Sequence, residues 1–185
     1  MISLKNEFGA SILEEIEFRG EHTVVVKNSD AKKALQFCRD NLGFDYLIDV
    51  SSLDNFGSDP RWEMVYELYQ LANGGSRHLR VKAAYAENEK VDTVSDLWET
   101  ANWHEREVYD MMGIEFEGHP DLRRILMWEG YPFFPLRKDF PLAGRPSEMP
   151  DVAFTEKAPL AGGPFVTSPT TASTEHREPR SRSMD

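Results

Sequence analysis

Several groups that build common functional sites are scarce in this chain. Cys38 is its only cysteine, which excludes an internal disulfide, a four-cysteine zinc site and a cysteine-ligated iron–sulfur cluster. Its apolar runs are a few residues long, as at Thr23 to Val26, against the roughly 20 residues that cross a bilayer. Lys and Arg number 21 against 32 Asp and Glu, and the net charge of -11 disfavours nucleic acid as a partner. A cationic protein surface suits this charge better.

Motifs for nucleotide binding and nucleophilic catalysis are also missing. Gly74-Gly75 is typical of a hairpin turn, and Gly162-Gly163 has neither a strand before it nor a helix after it, so neither pair forms a phosphate loop. No serine stands in a nucleophile-elbow pattern, and Cys38 lies on the apolar side of a predicted helix, where cysteine is usually inert. The sequence therefore predicts no catalytic or cofactor-binding residue in this chain.

The histidines do not form a metal site by their spacing. His104-Glu105 opens like a zinc-protease motif, but Val108 stands where the second histidine is required. His104 lies on an apolar stripe, so we expect a hydrogen-bonded core or interface residue. His119 precedes a proline and is expected to fix a loop. No metal is predicted.

Hydrophobic periodicity predicts a two-layer α+β sandwich, in which helices cover a mixed, largely antiparallel sheet. The apolar residues near the N-terminus (Ile12, Leu13, Ile16 and Phe18) suggest a short amphipathic helix that ends near Gly20. The other predicted elements are a strand at 23–27, a helix from a Ser29 or Asp30 cap to Gly43, strands at 46–53, 63–71 and 79–85, and a helix at 95–112. The last two strands are predicted to form an antiparallel hairpin, and the strand order of the sheet stays open.

Composition divides the chain into a domain at 1–143 and a tail at 144–185. Within the domain, residues 113–143 are aromatic and proline-punctuated, which predicts an ordered loop that wraps a surface. The tail holds 6 of the 11 prolines and 10 Ser or Thr, so it cannot build a core. It is expected to be extended or disordered, and its scattered apolar residues are spaced like anchors for a groove on a partner: Val152, Phe154, Leu160, Phe165 and Val166.

The densest polar pattern runs from the last predicted helix into the loop. Arg106 and Asp110 are four residues apart and are expected to pair on the helix, with Glu105 on a mixed polar edge beside the buried stripe. Four downstream cations would meet these acids if the loop folds back, and such a network positions a loop without transforming a substrate. These cations are Arg123, Arg124, Arg137 and Lys138.

The same stretch resembles the 30 kDa-subunit family, the C subunits of the proton-translocating NADH-quinone oxidoreductase, respiratory complex I. The family signature is matched here by Glu105-Arg106-Glu107, Asp110, Met111-Met112, His119, Arg123 and Ile125-Leu126, and it is followed by a stretch that contains Arg137, Lys138 and Asp139. The resemblance extends from roughly Val24 to Pro141. It makes the charged and histidine members of both stretches the candidate signature and interface residues.

The resemblance implies a non-redox structural subunit of the hydrophilic arm. Its partners would be the quinone-site (D) subunit and neighbouring iron–sulfur subunits, and it would meet the membrane only through the complex, peripherally at the cytoplasmic face of a bacterial membrane. Electrons would pass from NADH through flavin and iron–sulfur centres in those partners to quinone, coupled to proton transport. The isolated chain would be non-catalytic, and a C-terminal segment would extend over a neighbour.

Two other functions stay open. A similar domain serves in membrane-bound hydrogenase and formate-hydrogenlyase-type complexes, beside a large nickel-bearing subunit. A more remote alternative is a stand-alone enzyme that uses Glu105, Asp110 and His119 as an acid–base set.

Overall fold

The computed structural model describes residues 2–72 and 77–142, and its regular elements begin with a helix and a β-hairpin. The expectations for 144–185 and for the Asn73 to Ser76 turn lie outside the described residues. A 3-10 turn at Asn28–Asp30 leads into the second helix. The elements are α1 (Ile2–Phe8), β1 (Ile12–Phe18), β2 (Glu21–Val26), α2 (Ala31–Asp40), β3 (Tyr46–Asp54), β4 (Trp62–Gln70), β5 (Arg77–Tyr85), β6 (Val91–Asp92), α3 (Ala101–Met112) and β7 (Phe116–Glu117).

Five strands form one sheet in the order β1-β2-β5-β4-β3. Neighbouring strands in this sheet are antiparallel, except that β2 and β5 are parallel. The mixed, largely antiparallel sheet with helices confirms the predicted α+β class, and β4 and β5 form the predicted hairpin. The short strands β6 and β7 pair in parallel and were not predicted.

The core lies on one face of the sheet. Alternate residues of β4 are buried, among them Trp62 and Tyr66, because successive side chains of a strand point to opposite faces. Helix α2 buries its apolar side, which includes Leu35 and Cys38, in the same cluster. Burial raises the pKa of the Cys38 thiol to about 12.

The predicted helix around residues 12–18 is wrong, because this segment is strand β1. Its register with β2 places Ile16 and Phe18 on one face of the sheet and Glu15 and Glu17 on the other. The turn between the two strands is made by Arg19 and Gly20, which both have positive φ, 53° and 81°, as a tight hairpin turn requires. The alternation of apolar and acidic residues, together with this turn, therefore produces a strand and not a helix.

Two smaller expectations are also corrected. Helix α3 starts at Ala101 rather than Ser95. Asp30 stands at the N-cap of α2 but makes no capping bond, since its carboxylate accepts a hydrogen bond from Ser11 Oγ at 2.5 Å. The chain divides into two compact units after Gly130, within the predicted wrapping loop, and the second unit is described from Tyr131 to 142.

Candidate functional site

Asp110, on the last turn of α3, binds the loop that follows β7. Its side chain is fully buried. Oδ2 accepts from the backbone N–H groups of Ile125, Leu126 and Met127 at 3.0, 2.7 and 2.8 Å, and Oδ1 accepts from Arg124 Nη1 at 2.6 Å. Burial by itself raises the pKa of Asp110, but these donors outweigh it, so the pKa lies below its ordinary value of 3.8. The carboxylate is therefore the charged anchor of this loop.

Arg106 makes the second attachment between α3 and the loop. Its Nε and Nη2 donate to the carbonyl oxygens of Arg123 and Arg124, both at 3.2 Å. The guanidinium lies 5.1 Å from the ring centroid of Trp103, one turn earlier on α3. The planar fork of arginine suits two adjacent carbonyls, so Arg106 and Asp110 bind successive peptide groups of one segment, 123–127.

The expected ion pair between Arg106 and Asp110 is wrong, because each side chain bonds to the loop instead. The loop is irregular, so its backbone N–H and C=O groups have no partners in a helix or sheet. Because buried backbone groups need hydrogen-bond partners, they bind the two charged side chains. Arg124 is the cation that reaches Asp110. The Arg123 side chain instead pairs with Asp121, its Nε 2.8 Å from Oδ2, and both side chains are mostly exposed.

Glu105 is fully buried, contrary to its expected place on a polar edge of the helix. Its carboxylate accepts from Thr93 Oγ1 at 2.5 Å and from the backbone N–H of Val94 at 2.7 Å. Burial raises the pKa of Glu105 to about 7, although both of these hydrogen bonds lower it. Glu105 thus ties α3 to the segment that follows β6.

His119 fixes the turn after β7. Its Nδ1 accepts from the backbone N–H of Asp121 at 3.0 Å, so the ring proton lies on Nε2. Nε2 lies 3.1 Å from the carbonyl oxygen of Asn102 and 3.9 Å from Glu105 Oε2. The histidine side chain is fully buried and bridges the turn to α3.

The exposed part of this site includes two signature residues, Glu107 and Arg123, and two large apolar side chains. Glu107 is exposed on α3. Trp103 and Leu126 are 60% and 61% exposed, although Trp103 lies against Arg106 and the backbone of Leu126 is bound to Asp110. The sequence analysis named Leu126 only as part of the signature and gave neither residue an exposed role, because a large apolar side chain is normally assigned to the core.

The remaining candidates lie elsewhere. His104, expected in the core or an interface, is half-buried, with Nδ1 3.2 Å from Asp49 Oδ1. Arg137, Lys138 and Asp139 belong to the second unit, where the Arg137 guanidinium lies 4.6 Å from the Phe134 ring centroid. The meeting of Arg137 and Lys138 with the acids of α3 stays a prediction.

Within residues 2–72 and 77–142, no group of three or more His, Cys, Asp or Glu side chains is arranged to hold a metal ion. No helix in the described part of the chain combines the length and the apolarity needed for a transmembrane span.

Fold and site together define an α+β protein whose buried charges hold a surface loop against a helix. Residues 24–146 match the family model described as "Respiratory-chain NADH dehydrogenase, 30 Kd subunit". The chain belongs to this family.

Curated relatives agree with the family model. The chain is 48% identical over 145 residues to the C subunit of NADH-quinone oxidoreductase from Geotalea uraniireducens, a match that covers 78% of this chain and 87% of the relative. It is 47% identical over 146 residues to the protein of the same name from Geobacter metallireducens, which covers 78% and 89%. With the equivalent protein of Geobacter sulfurreducens it shares 46% identity over 146 residues, which again covers 78% and 89%.

A solved structure shares the fold. The structure of the membrane-bound sulfane sulfur reductase, an archaeal respiratory membrane complex, contains a chain that matches with a TM-score of 0.66 at 20% sequence identity. The match covers 76% of this chain and 83% of that one. At this identity the likeness concerns the fold alone.

Proposed function

We propose that this chain works as the C subunit of NADH-quinone oxidoreductase and holds the quinone-site subunit in position, without a redox group of its own. The names of the relatives support the proposal that the chain is part of this assembly. The role within it is supported by one observation: the polar groups of Glu105, Arg106 and Asp110 are used on the chain's own backbone and side chains. Such a network shapes a surface.

The surface that this network shapes carries two apolar anchors. Trp103 and Leu126 stay exposed while Arg106 and Asp110 hold their surroundings. Preorganised tryptophan and leucine side chains reduce the entropy lost on binding, and tryptophan is enriched among residues that dominate interface energies. We expect both to enter an apolar depression on the quinone-site subunit, with Glu107 near its rim.

In this proposal the chemistry belongs to the assembly. NADH is oxidised at flavin, electrons pass through iron–sulfur centres to quinone, and protons move, all in partner subunits. The chain lies at the cytoplasmic face of the membrane through those partners, next to the quinone-site subunit and the neighbouring iron–sulfur subunits. A cofactor-free spectrum of the purified chain in the visible range is the expected result, and a stoichiometric flavin or cluster spectrum would contradict it.

The alternatives have weaker support. A hydrogenase-type complex would fit the fold, but the relatives that are 48% and 47% identical over the matched residues carry the NADH-quinone name. An acid–base enzyme would need accessible groups, whereas the Glu105, Asp110 and His119 side chains are each fully buried. Turnover of a substrate by the isolated chain would favour the enzyme.

The test is to purify the native assembly through this chain and to quantify its companions by mass spectrometry. We expect flavin, iron–sulfur and membrane subunits among the companions. A nickel-bearing large subunit without an NADH-oxidising one would support the hydrogenase-type alternative.

A variant tests the anchors in the same experiment. Trp103→Ala with Leu126→Ala should lower the recovery of the quinone-site subunit about tenfold or more, as hot-spot truncations do. Leu71→Ala removes another exposed leucine, outside α3 and its loop, and serves as the matched control. Equal recovery from all variants would reject this surface as the contact.

A further inference from the structure

We propose that the free edge of β1 binds an extended segment of a partner protein in which apolar residues alternate with Lys or Arg. This surface lies at Ile12–Phe18, before residue 24, where the family match begins. Binding at β1 is independent of the surface around Trp103 and Leu126 (the α3 surface) and of the identity of the protein that contacts that surface.

The edge offers backbone groups for pairing. β1 is the first strand of the five-stranded sheet, and in the described residues its only strand neighbour is β2. Alternate N–H and C=O groups of such an edge point away from the sheet and can pair with an added strand. Seven residues are long enough to align a partner segment.

The strand has only part of the usual protection of an edge. Natural edge strands are protected by charged side chains, above all Lys, by Pro and by bulges, and β1 (ILEEIEF) has glutamates and a bulge but neither Lys nor Pro. Instead its apolar side chains are open to solvent, with Leu13, Ile16 and Phe18 exposed by 60%, 39% and 64%. A bulge interrupts the pairing with β2 only at its start, between Ile12 and Glu14.

Charge selects the kind of partner. Glu14, Glu15 and Glu17 make β1 acidic. The nearby cations offset this only in part: Lys5 Nζ lies 3.4 Å from Glu15 Oε2, and the Arg19 guanidinium is stacked 5.1 Å from the Phe18 ring centroid. An excess of negative charge remains for a basic segment.

The register with β2 specifies how that segment alternates. Ile16 and Phe18 are opposite Thr23 and Glu21 on one face of the sheet, and Glu15 and Glu17 are on the other face. Side chains directly opposite each other on neighbouring strands share a face. The added strand therefore places apolar residues beside Ile16 and Phe18 and basic residues beside Glu15 and Glu17.

A second copy of this chain fits the edge poorly. Antiparallel pairing of two β1 strands brings the glutamates of one copy next to those of the other, and like charges opposite each other destabilise a sheet. The occupant is therefore a different, basic chain.

Photo-cross-linking in the native assembly tests the proposal. A benzophenone-bearing phenylalanine replaces Phe18, and the same group at the exposed Phe56, in the turn between β3 and β4, is the positional control. The assembly is purified through this chain after irradiation, and the cross-linked peptides are sequenced. We expect position 18 to capture a segment of another protein of the assembly in which apolar residues alternate with Lys or Arg.

Charge variants separate recognition from chance proximity. Glu15→Lys with Glu17→Lys should reduce the cross-link from position 18 about tenfold, and Glu15→Gln with Glu17→Gln by less. Glu99→Lys, at an exposed glutamate outside β1, should leave it unchanged. Hydrogen exchange of β1 and β2 in each variant verifies that the hairpin is folded.

Several results would overturn the proposal. These are no cross-link from position 18 with a folded hairpin, capture only of a second copy, capture only of residues 143–185 of this chain, capture of a segment without Lys or Arg, and a yield that ignores the charge reversals. A basic partner captured at β1 supports this proposal even if the α3 surface proves to contact nothing.

Discussion

Replacement of Asp110 by asparagine is the sharpest test of the network on α3. The amide keeps the size of the side chain and one acceptor oxygen, so the packing of α3 is preserved. It removes the negative charge and turns one acceptor into an NH2 donor. In the wild type, three backbone N–H groups converge on Oδ2 and Arg124 donates to Oδ1, so the amide must present a donor to one of these donors.

The expected cost follows from burial. Asp110 is fully buried and the Arg124 side chain is nearly so. Loss of one partner from a buried ion pair costs about 3–5 kcal/mol, and the retained oxygen places this substitution at the lower end, about 3 kcal/mol. For a chain of this size, such a loss lowers the melting temperature by about 10 °C.

Urea denaturation of the full chain, followed by circular dichroism and tryptophan fluorescence, measures this difference. Glu107→Gln is the matched control, because it makes the same kind of change at an exposed residue of the same helix and should stay within about 0.5 kcal/mol of wild type. A loss below about 1 kcal/mol for Asp110→Asn would refute the assignment of Asp110 as the loop anchor.

The pH dependence of the same measurement provides a second check. The folded-state pKa of Asp110 lies below its ordinary 3.8. Its contribution to stability is therefore complete above the unfolded pKa and is lost as the pH falls through the folded pKa. The gap in unfolding free energy between wild type and Asp110→Asn should narrow in acid, and a gap that is constant with pH would contradict the charged role.

Other outcomes follow from the remaining contacts. The pKa of Glu105 is raised from 4.5 to about 7, so the stability that this side chain contributes falls as the pH rises through this range, by about 3 kcal/mol at most. The free energy of unfolding of the wild type should therefore decrease relative to that of Glu105→Gln as the pH rises from about 4 to 8. A difference between the two that does not change with pH would contradict this. In Arg106→Lys the single ammonium group can reach only one of the two carbonyls, so we expect the free energy of unfolding to fall by about 1 kcal/mol and amide exchange at 123–127 to become faster. Unchanged exchange would contradict the two-carbonyl contact of Arg106. Cys38 should resist a thiol reagent at neutral pH until the protein is unfolded, because it is buried with a raised pKa, and rapid labelling of the folded chain would disprove its placement. Deletion of 144–185 should loosen association with the quinone-site subunit, and unchanged co-purification in mild salt would count against anchoring by the tail.

Periodicity predicted the regular elements where local preference and tertiary structure agree. Strand β5 alternates cleanly and β4 does so apart from the buried Val65, and the helices α2 and α3 carry apolar stripes. All four elements were therefore found, although α3 was predicted to start at Ser95 rather than Ala101. β1 failed because ILEEIEF fits a short amphipathic helix and an edge strand almost equally well. Only the pairing with β2 and the turn at Arg19-Gly20 decide between them, and both lie outside the seven residues.

The network on α3 was half predictable. Its charged members stand out in the sequence, but their partners are mostly backbone groups, which no residue letter reveals. Helix spacing favoured a pair between Arg106 and Asp110, whereas the loop's backbone groups and Arg124 bind them more completely. Glu105 can be buried because Thr93 and Val94 donate hydrogen bonds to its carboxylate. A loop separates these two residues from Glu105, and nothing in their identity or spacing predicts the contact.

In the proposed function this chain positions its neighbours and performs no chemistry. Assembly and chemistry are separated by counting the assembled complexes and measuring NADH-dependent quinone reduction per complex, in Asp110→Asn and in wild type. We predict fewer assembled complexes in the variant and the same turnover in each of them. A normal number of complexes with abolished turnover would contradict the account, because it would give Asp110 a direct part in the reaction.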